Sequence, residues 1–387
     1  MRTFQSSFSK AIFKAALLSG AIALSACSNG NATSTQSDSK VEFSSETKAE
    51  FNEPWAMTFL PGKGESALIT EKGGKLFLYQ DDGTKTEITG VPEVDYGGQG
   101  GLGDVVLSPN FANDSIVYLS WAEAGKSNTR GAVVGMAKLS LDGNPSISDM
   151  KIIWKQFPKV KGRGHYSYRI AFSPDSKYMF IGSGERQKFT PSQDMNSNMG
   201  KIVRLYPDGS IPKDNPFYTE GNEVRSQIWS LGHRNILGLA FDADGQLWNQ
   251  EMGPAYGDEV NLVRAKANYG YPLVSNGDHY NGDDIPDHSE GDGFEAPKVF
   301  WAPEQPQAPA SLIAYNGDMF PSWKGSLFLG GLAGQNLVRM KIDGENLTKA
   351  DVWPMDVRVR EVEQGPDGAL WILEDGESGK LRKLSRK

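Results

Sequence analysis

Two of the four histidines in this 387-residue chain occupy the same kind of place. His165 lies in "GRGHYSYRIAFSPD" and His233 in "WSLGHRNILGLAFDADG", each after a glycine and shortly before an apolar run. An imidazole with a pKa near ~6.5 is the natural general base at neutral pH. A lone histidine is more often structural. The glycines before His165 and the strand-like run Arg169–Phe172 behind it make it the sharpest candidate in the chain. Arg234 and Asn235 follow His233 directly. A planar donor fork beside an amide suits an anionic ligand with many oxygens, although for this motif alone a carboxylate in a loop is the better account of Arg234. Arg358 and Arg360, in "DVRVREVEQGPDG", alternate and so share one face of a strand. Two cations on one face repel unless an anionic ligand or acids lie between them, and both readings are open.

The segment "EMGPAYGDEVNLVRAKANYGYP", residues 251–272, brings Asp258 and Glu259 near Tyr269. Such oxygens suit a hard cation such as Ca²⁺. The spacing fits no Ca²⁺-loop pattern, and surface acids are usually only solvated. The acids that follow, from Asp278 to Asp292, read as a solvated loop.

The elements that must position these residues are strands. A small turn followed by alternating apolar residues recurs in "MTFLPGKGESALIT", "VVLSPNFANDSIVYLSW", "IAFSPDSKYMFIGSG", "LAFDADGQLWNQE" and "VEQGPDGALWILED", and more loosely in "MFPSWKGSLFLGG". Each copy pairs two strands across a Pro, Asp or Gly turn. Six all-strand repeats predict an all-β, six-bladed β-propeller. The repeats are spaced by roughly 45–75 residues, more than a bare blade of ~40–50 requires. The excess must be loops, and residues 253–311 form the longest irregular stretch. In a propeller such loops gather over one end of the channel, where a ligand sits. A pair of β-sandwiches is the lesser alternative.

The N-terminus reads as a targeting segment. Arg2, Lys10 and Lys14 precede the apolar run Ala15–Leu24, which ends in "LSAC" at Cys27, the single cysteine. The run is too short to span a membrane. Residues 1–26 are expected to be a lipoprotein signal peptide, with Cys27 the lipidated residue. Residues 27–48 are polar and read as a flexible tether, and 49–387 as one catalytic propeller. Ser28 after the cysteine favours the outer membrane, facing the periplasm, over the inner one. Loss of the signal's three positive charges takes the net charge from −8 to −11, which argues against a nucleic-acid partner.

Seven stretches in series now carry a resemblance: "PWAMTFLP…LITEKGGKLFLY", "GGQGGLGDVVLSP", "GHYSYRIAFSPD", "GKIVRLYPDGSIPKDNPF", "IWSLGHRNILGLAF", "GPAYGDEVNLVRAKANYGYP" and "RVREVEQGPDG". Together, from about residue 50 to 385, they resemble the soluble quinoprotein glucose/sorbosone dehydrogenase family, and within it the bacterial aldose sugar dehydrogenases that depend on pyrroloquinoline quinone (PQQ). The resemblance implies a six-bladed propeller carrying PQQ and Ca²⁺ at one end of the channel. It implies His165 as catalytic base and Glu185 as the carboxylate that orients it. Arg234 and Asn235 would contact the reactive side of the quinone, Gln99 and Tyr280 would lie against the cofactor, and Arg358 and Arg360 would hold its carboxylates. Gly253 and Pro254 would offer carbonyls to the cofactor-associated Ca²⁺, and Glu259 and Tyr269 would serve a separate structural Ca²⁺.

The same resemblance implies oxidation of an aldose at C1 to a lactone, with several arginines left unneutralised by acids because the cofactor is a trianion. Two positions depart from the family's pattern. Ala333, in "LFLGGLAGQNL", stands where many members carry a cofactor-binding lysine, and Tyr168 stands where a glycine is common. That tyrosine would narrow the substrate side. Rival readings are a Ca²⁺-dependent propeller lactonase or esterase, which needs channel carboxylates around a central metal, and a cofactor-free binding module, which needs no His165. The preferred sugar and the electron acceptor are not encoded in any motif.

Overall fold

The computed structural model describes residues 41–387, so the expected signal peptide, Cys27 and most of the expected tether lie outside the described residues. Six four-stranded antiparallel sheets are present, and the chain is a six-bladed β-propeller. The innermost strands are Pro54–Phe59, Leu102–Leu107, Ser167–Phe172, Ile236–Phe241, Pro309–Tyr315 and Val359–Gln364, of blades 1 to 6 in that order. Each lies against the inner strands of the two flanking blades, which closes a ring around a channel. Five of the repeated turns join an inner strand to the second strand of its blade. The looser copy is the hairpin of blade 5, lengthened by a 3₁₀ turn at Pro321–Trp323 before the strand Ser326–Gly331.

The second strands are the most apolar because blades pack on both of their faces. Ala67–Glu71, Met179–Ser183 and Leu370–Glu374 are buried at every residue. Trp371 of blade 6 meets Phe59 and Tyr79 of blade 1 at centroid distances of 5.4 and 6.3 Å. Such edge-on aromatic contacts add to burial in fixing one blade against the next.

One boundary differs from expectation. Phe43–Phe51 is a strand that pairs antiparallel with Gly379–Arg386 and completes blade 6. Residues 43–48, expected in the tether, are therefore part of the propeller. Their hydrogen-bonding partner is the far end of the chain, which closes the ring through backbone bonds and protects an otherwise open edge. Residues 264–298, within the predicted irregular stretch, contain no helix or strand. No helix among the described residues is long and apolar enough to cross a membrane.

Every inner strand has a register shift near its start: 54/56, 102/105, 167/170, 236/238, 310/313 and 359/361. A bulge re-aims the side chain of the residue it displaces. Four displaced residues, Trp55, Tyr168, Leu237 and Arg360, line one cavity of about 270 Å³. Four of the six irregularities thus contribute to the cavity at this end of the channel.

Candidate active site

His165 enters this end of the channel from the loop before the inner strand of blade 3. Its φ is +48°, and those of Ser167 and Tyr168 are +63° and +54°. Three non-glycine residues in the left-handed region cost conformational energy, which the packing around them must hold in place. The His165 amide donates to Gln99 Oε1 at 2.6 Å. Its ring Nδ1 lies 2.5 Å from Glu185 Oε1. Glu185 is 0 % exposed, and its second oxygen accepts the backbone N–H groups of Lys188 and, at 2.7 Å, Phe189. The Glu185 amide in turn donates to the Arg234 carbonyl at 2.9 Å. Burial pushes the imidazole below its ordinary pKa; Glu185 opposes that push and the Arg234 charge adds to it. Desolvation would raise Glu185, but its bonds from His165 and Phe189 prevail and hold it below the usual range. His165 is therefore neutral at neutral pH, the state a base requires. Its Nε2 makes no hydrogen bond among the described residues.

His233 shares the first half of this arrangement and not the second. Its Nδ1 lies 2.8 Å from Glu251 Oε1, its Nε2 lies 2.8 Å from Ser230 Oγ, and its ring stacks on Tyr269 at 4.6 Å. With both nitrogens occupied and no exposure, His233 is structural. Glu251 Oε2 accepts the Arg234 amide at 2.6 Å, so this second pair fixes the backbone of Arg234.

Arg234 is 5 % exposed and gives Nη1 to the Met252 carbonyl at 2.9 Å. Among the described residues its Nε makes no well-formed hydrogen bond, nor does the hydroxyl of Tyr271, which lies close to the same guanidinium. An unmet buried donor costs about 1–3 kcal/mol, so this corner favours an oxygen-bearing ligand. The Arg234 guanidinium lies 5.9 Å from the ring of Tyr280, which is 77 % exposed. Asn235 lines the main cavity, where its Oδ1 accepts from Ser167 Oγ at 3.3 Å. Gln99 and Tyr168 line it too, and the Tyr168 hydroxyl donates to the Gln99 carbonyl at 3.2 Å. The bulk of Tyr168 packs beside Trp55 and over Gly103, where any Cβ would stand 2.2 Å from its ring.

Arg358 and Arg360 line the cavity together, as alternation predicted, but an acid lies between them. Asp375 accepts from Arg358 Nε at 2.7 Å and from Arg360 Nε and Nη2 at 2.8 and 2.6 Å. The expectation that the arginines stand without acids is corrected: one carboxylate bridges two guanidiniums. The pair still carries net positive charge, and the arginines outweigh desolvation in holding Asp375 below the usual range. Lys72 lines the same cavity and was not singled out from sequence, because in "TEKGGK" it reads as a solvated turn charge.

Gly253, Pro254, Glu259 and Tyr269 border one small cavity of about 10 Å³, with Arg234 and Glu251. That is room for a single water-sized occupant. The resemblance implied two separate calcium sites there; the fold brings their residues to one place. Tyr269 spends its hydroxyl on the Leu262 carbonyl and the Arg264 amide, so only its backbone carbonyl is left for a cation. Asp258 is likewise spent on the amides of Gly253, Gln307 and Ala308. Glu251 pairs with Glu259, and two residues further on the same face Asn249 pairs with Asn261; both asparagine amides donate to these carboxylates, and their Oδ1 atoms, on the other side of each amide, are buried without a partner among the described residues. Desolvation and the Glu251 charge push Glu259 well above the usual carboxylate range. Among the described residues no three His, Cys, Asp or Glu side chains are grouped to hold a metal. The donors that suit a hard cation are instead one carboxylate plus backbone oxygens.

The channel continues past Arg169, which the sequence left without a role. Its Nε donates to the Leu237 carbonyl at 2.9 Å, its guanidinium pairs with Asp104 and Glu361 at 3.3 and 2.5 Å, and it lies over the Trp55 ring at 4.2 Å. It thus joins blades 1, 2, 4 and 6 to its own. Two of the carboxylates lining this part of the channel, Asp104 and Glu361, are tied to this arginine, while among the described residues Glu363 accepts only the Gln364 amide.

Comparison with known proteins agrees with this architecture. The glucose/sorbosone dehydrogenase family model matches residues 51–383. Aldose sugar dehydrogenase YliI of Escherichia coli (strain K12) is 38 % identical over 344 residues, covering 87 % of this chain and 91 % of the relative. The apo-form crystal structure of the soluble aldose sugar dehydrogenase from Escherichia coli superposes with a TM-score of 0.84 at 37 % identity, covering 89 % of this chain and all of that one. The PQQ-bound aldose sugar dehydrogenase from Streptomyces coelicolor gives 0.74 at 27 % identity, over 90 % and 99 % of the two chains.

Proposed function

The chain belongs to the glucose/sorbosone dehydrogenase family, and from that premise we propose that it oxidises aldose sugars at C1 to lactones with PQQ and Ca²⁺. The observation that carries the proposal is the buried His165–Glu185 pair, with Nε2 left open, beside a cavity whose polar lining is mainly cations and amides. The lining fits the cofactor: Trp55, Tyr168 and Leu237 offer ring and apolar surface, Arg358, Arg360 and Lys72 offer positive charge, and Gln99 and Asn235 offer amides. When bound, PQQ supplies a quinone that accepts two electrons as hydride.

The residues of the chain do the rest. His165 takes the proton of the anomeric hydroxyl at Nε2 while C1 gives up hydride, so the alcohol carbon becomes the lactone carbonyl and the proton stays on the imidazole. Glu185 holds Nδ1–H, fixes the tautomer and favours the imidazolium that forms. Arg234 and Asn235 present donors where negative charge develops. Backbone carbonyls of Gly253 and Pro254, with Glu259 and the Tyr269 carbonyl, would hold Ca²⁺, whose charge would keep Glu259 ionised. Tyr280, exposed beside Arg234, would close over the bound cofactor.

Reconstitution tests the proposal. Apo-protein given PQQ and Ca²⁺ should reduce an artificial dye when an aldose is added. No dye reduction with any of a panel of aldoses would end it. The same reading puts the mature chain at the cell envelope, held by lipid on Cys27. Cys27→Ser should then appear unprocessed or in the soluble periplasmic fraction, and a processed, membrane-bound variant would refute lipidation.

A further inference from the structure

We infer that Lys72 is a third cation for the carboxylates of the cofactor, doing from blade 1 what the lysine replaced by Ala333 does in other family members from blade 5. The inference rests on the PQQ reading above. Lys72 lines the same cavity as Arg358 and Arg360. It follows the second strand of blade 1, and its backbone is pinned on both sides. Its amide donates to the Glu53 carbonyl at 2.9 Å, and its carbonyl accepts the Leu102 amide at 3.0 Å. Gly101 makes this approach possible, since a Cβ there would stand 2.0 Å from the Lys72 oxygen. The ammonium is held by Glu53 Oε1 at 2.7 Å, and Glu53 also accepts the Tyr96 hydroxyl. Desolvation raises Glu53, but these two bonds prevail and keep it ionised.

Charge at the rim gives Lys72 its importance. Glu53 and Asp375 are near enough to repel each other, so Lys72, Arg358, Arg360 and the two acids form one cluster. Three cations against two carboxylates leave one positive charge. Without Lys72 the cluster is neutral, and a ligand with three carboxylates would meet two acids with no net attraction. Ala333 is exposed on the loop after Ser326–Gly331, next to Leu332 of the cavity wall. A lysine restored there would start beside the same cavity wall, two blades away from Lys72.

The test reads cofactor binding without turnover. Apo-protein is titrated with PQQ and followed by quenching of tryptophan fluorescence, with Trp55 in the cavity wall as reporter. Lys72→Met should raise the PQQ dissociation constant at least ~10-fold, and Lys72→Met with Ala333→Lys should recover most of the loss. If Lys72→Met leaves Glu53 too poorly paired to fold, Lys72→Met with Glu53→Gln returns the cluster to one net positive charge and reads the direct Lys72 contact alone, so it should still weaken binding, but by less than Lys72→Met. Wild-type affinity in either Lys72 variant overturns the inference while leaving the PQQ reading intact. Failure of the unmodified protein to bind PQQ overturns both.

Discussion

His165 and Glu185 meet at 2.5 Å through Nδ1 and Oε1, and the amide of Glu185 is bonded to the carbonyl of Arg234. The proposed base, its carboxylate partner and Arg234 are thereby one connected unit built by blades 3 and 4. His165→Gln keeps the size and polarity of the side chain but removes the base. We expect PQQ affinity within about twofold of wild type and a loss of ~10²–10⁴ in turnover. Steady-state rates near wild type would remove His165 from the mechanism.

Glu185→Gln probes the orienting role through pH. Glu185 supports the protonated imidazole against burial. Without it the pKa of His165 falls further, so the acid limb of kcat/KM should move to lower pH while the plateau drops. A limb that moves to higher pH, or an unchanged plateau, contradicts this role. A merely structural glutamate would lower stability without moving the limb.

The two arginine positions should separate binding from chemistry. Arg360→Ala removes the more buried partner of Asp375 and should raise the PQQ dissociation constant at least ~10-fold, the effect of losing about 1.4 kcal/mol. Saturating PQQ should largely restore its maximal rate. Arg234→Ala should stay slow at saturation, because its partner is the oxygen where charge develops. Titration of both apo-variants, each followed by rate measurement, checks the pair. Rescue of Arg234→Ala but not of Arg360→Ala would reverse the placement of the cofactor.

At the other half of the channel, desolvation pushes Glu361 up to about 7 and, with the neighbouring Glu361 charge, Glu363 up to about 8. At these two positions the folded protein therefore binds more protons than the unfolded chain between about pH 4.5 and 8. These groups stabilise fully below the unfolded value, and their contribution is lost as pH rises through 7 and 8. The thermal stability of Glu363→Gln relative to the wild type should therefore rise between pH 5 and 8. An identical slope in the variant would show that Glu363 does not titrate in this window.

What the sequence reveals depends on how far apart in the chain the cause lies. The turn chemistry of "SPDSKY" or "DADGQL" is local, so the blades could be counted. The pairing of 43–48 with the C-terminal strand is not local, and the polar composition of those residues points to a tether instead. A bulge displaces one residue without a compositional mark, so Trp55 and Leu237 gave no sign of facing the cavity. Arg358 and Arg360 were visible as a pair, but their bridge, Asp375, arrives from the adjacent strand end. Lys72 shares its turn with ordinary surface charge. His165 and His233 look alike in sequence, and the contacts that separate them, Ser230 on Nε2 and Tyr269 on the ring of the second, appear only in the fold.

The most direct measurement is a single turnover of the reconstituted protein, without oxygen or dye, on glucose deuterated at C1. The account predicts reduction of the bound quinone, release of the lactone, and slower reduction with the deuterated sugar than with the ordinary one. Both the reduction and its isotope dependence should be largely lost in His165→Gln. A cofactor that stays oxidised in the presence of sugar, or a product oxidised at a carbon other than C1, would contradict it.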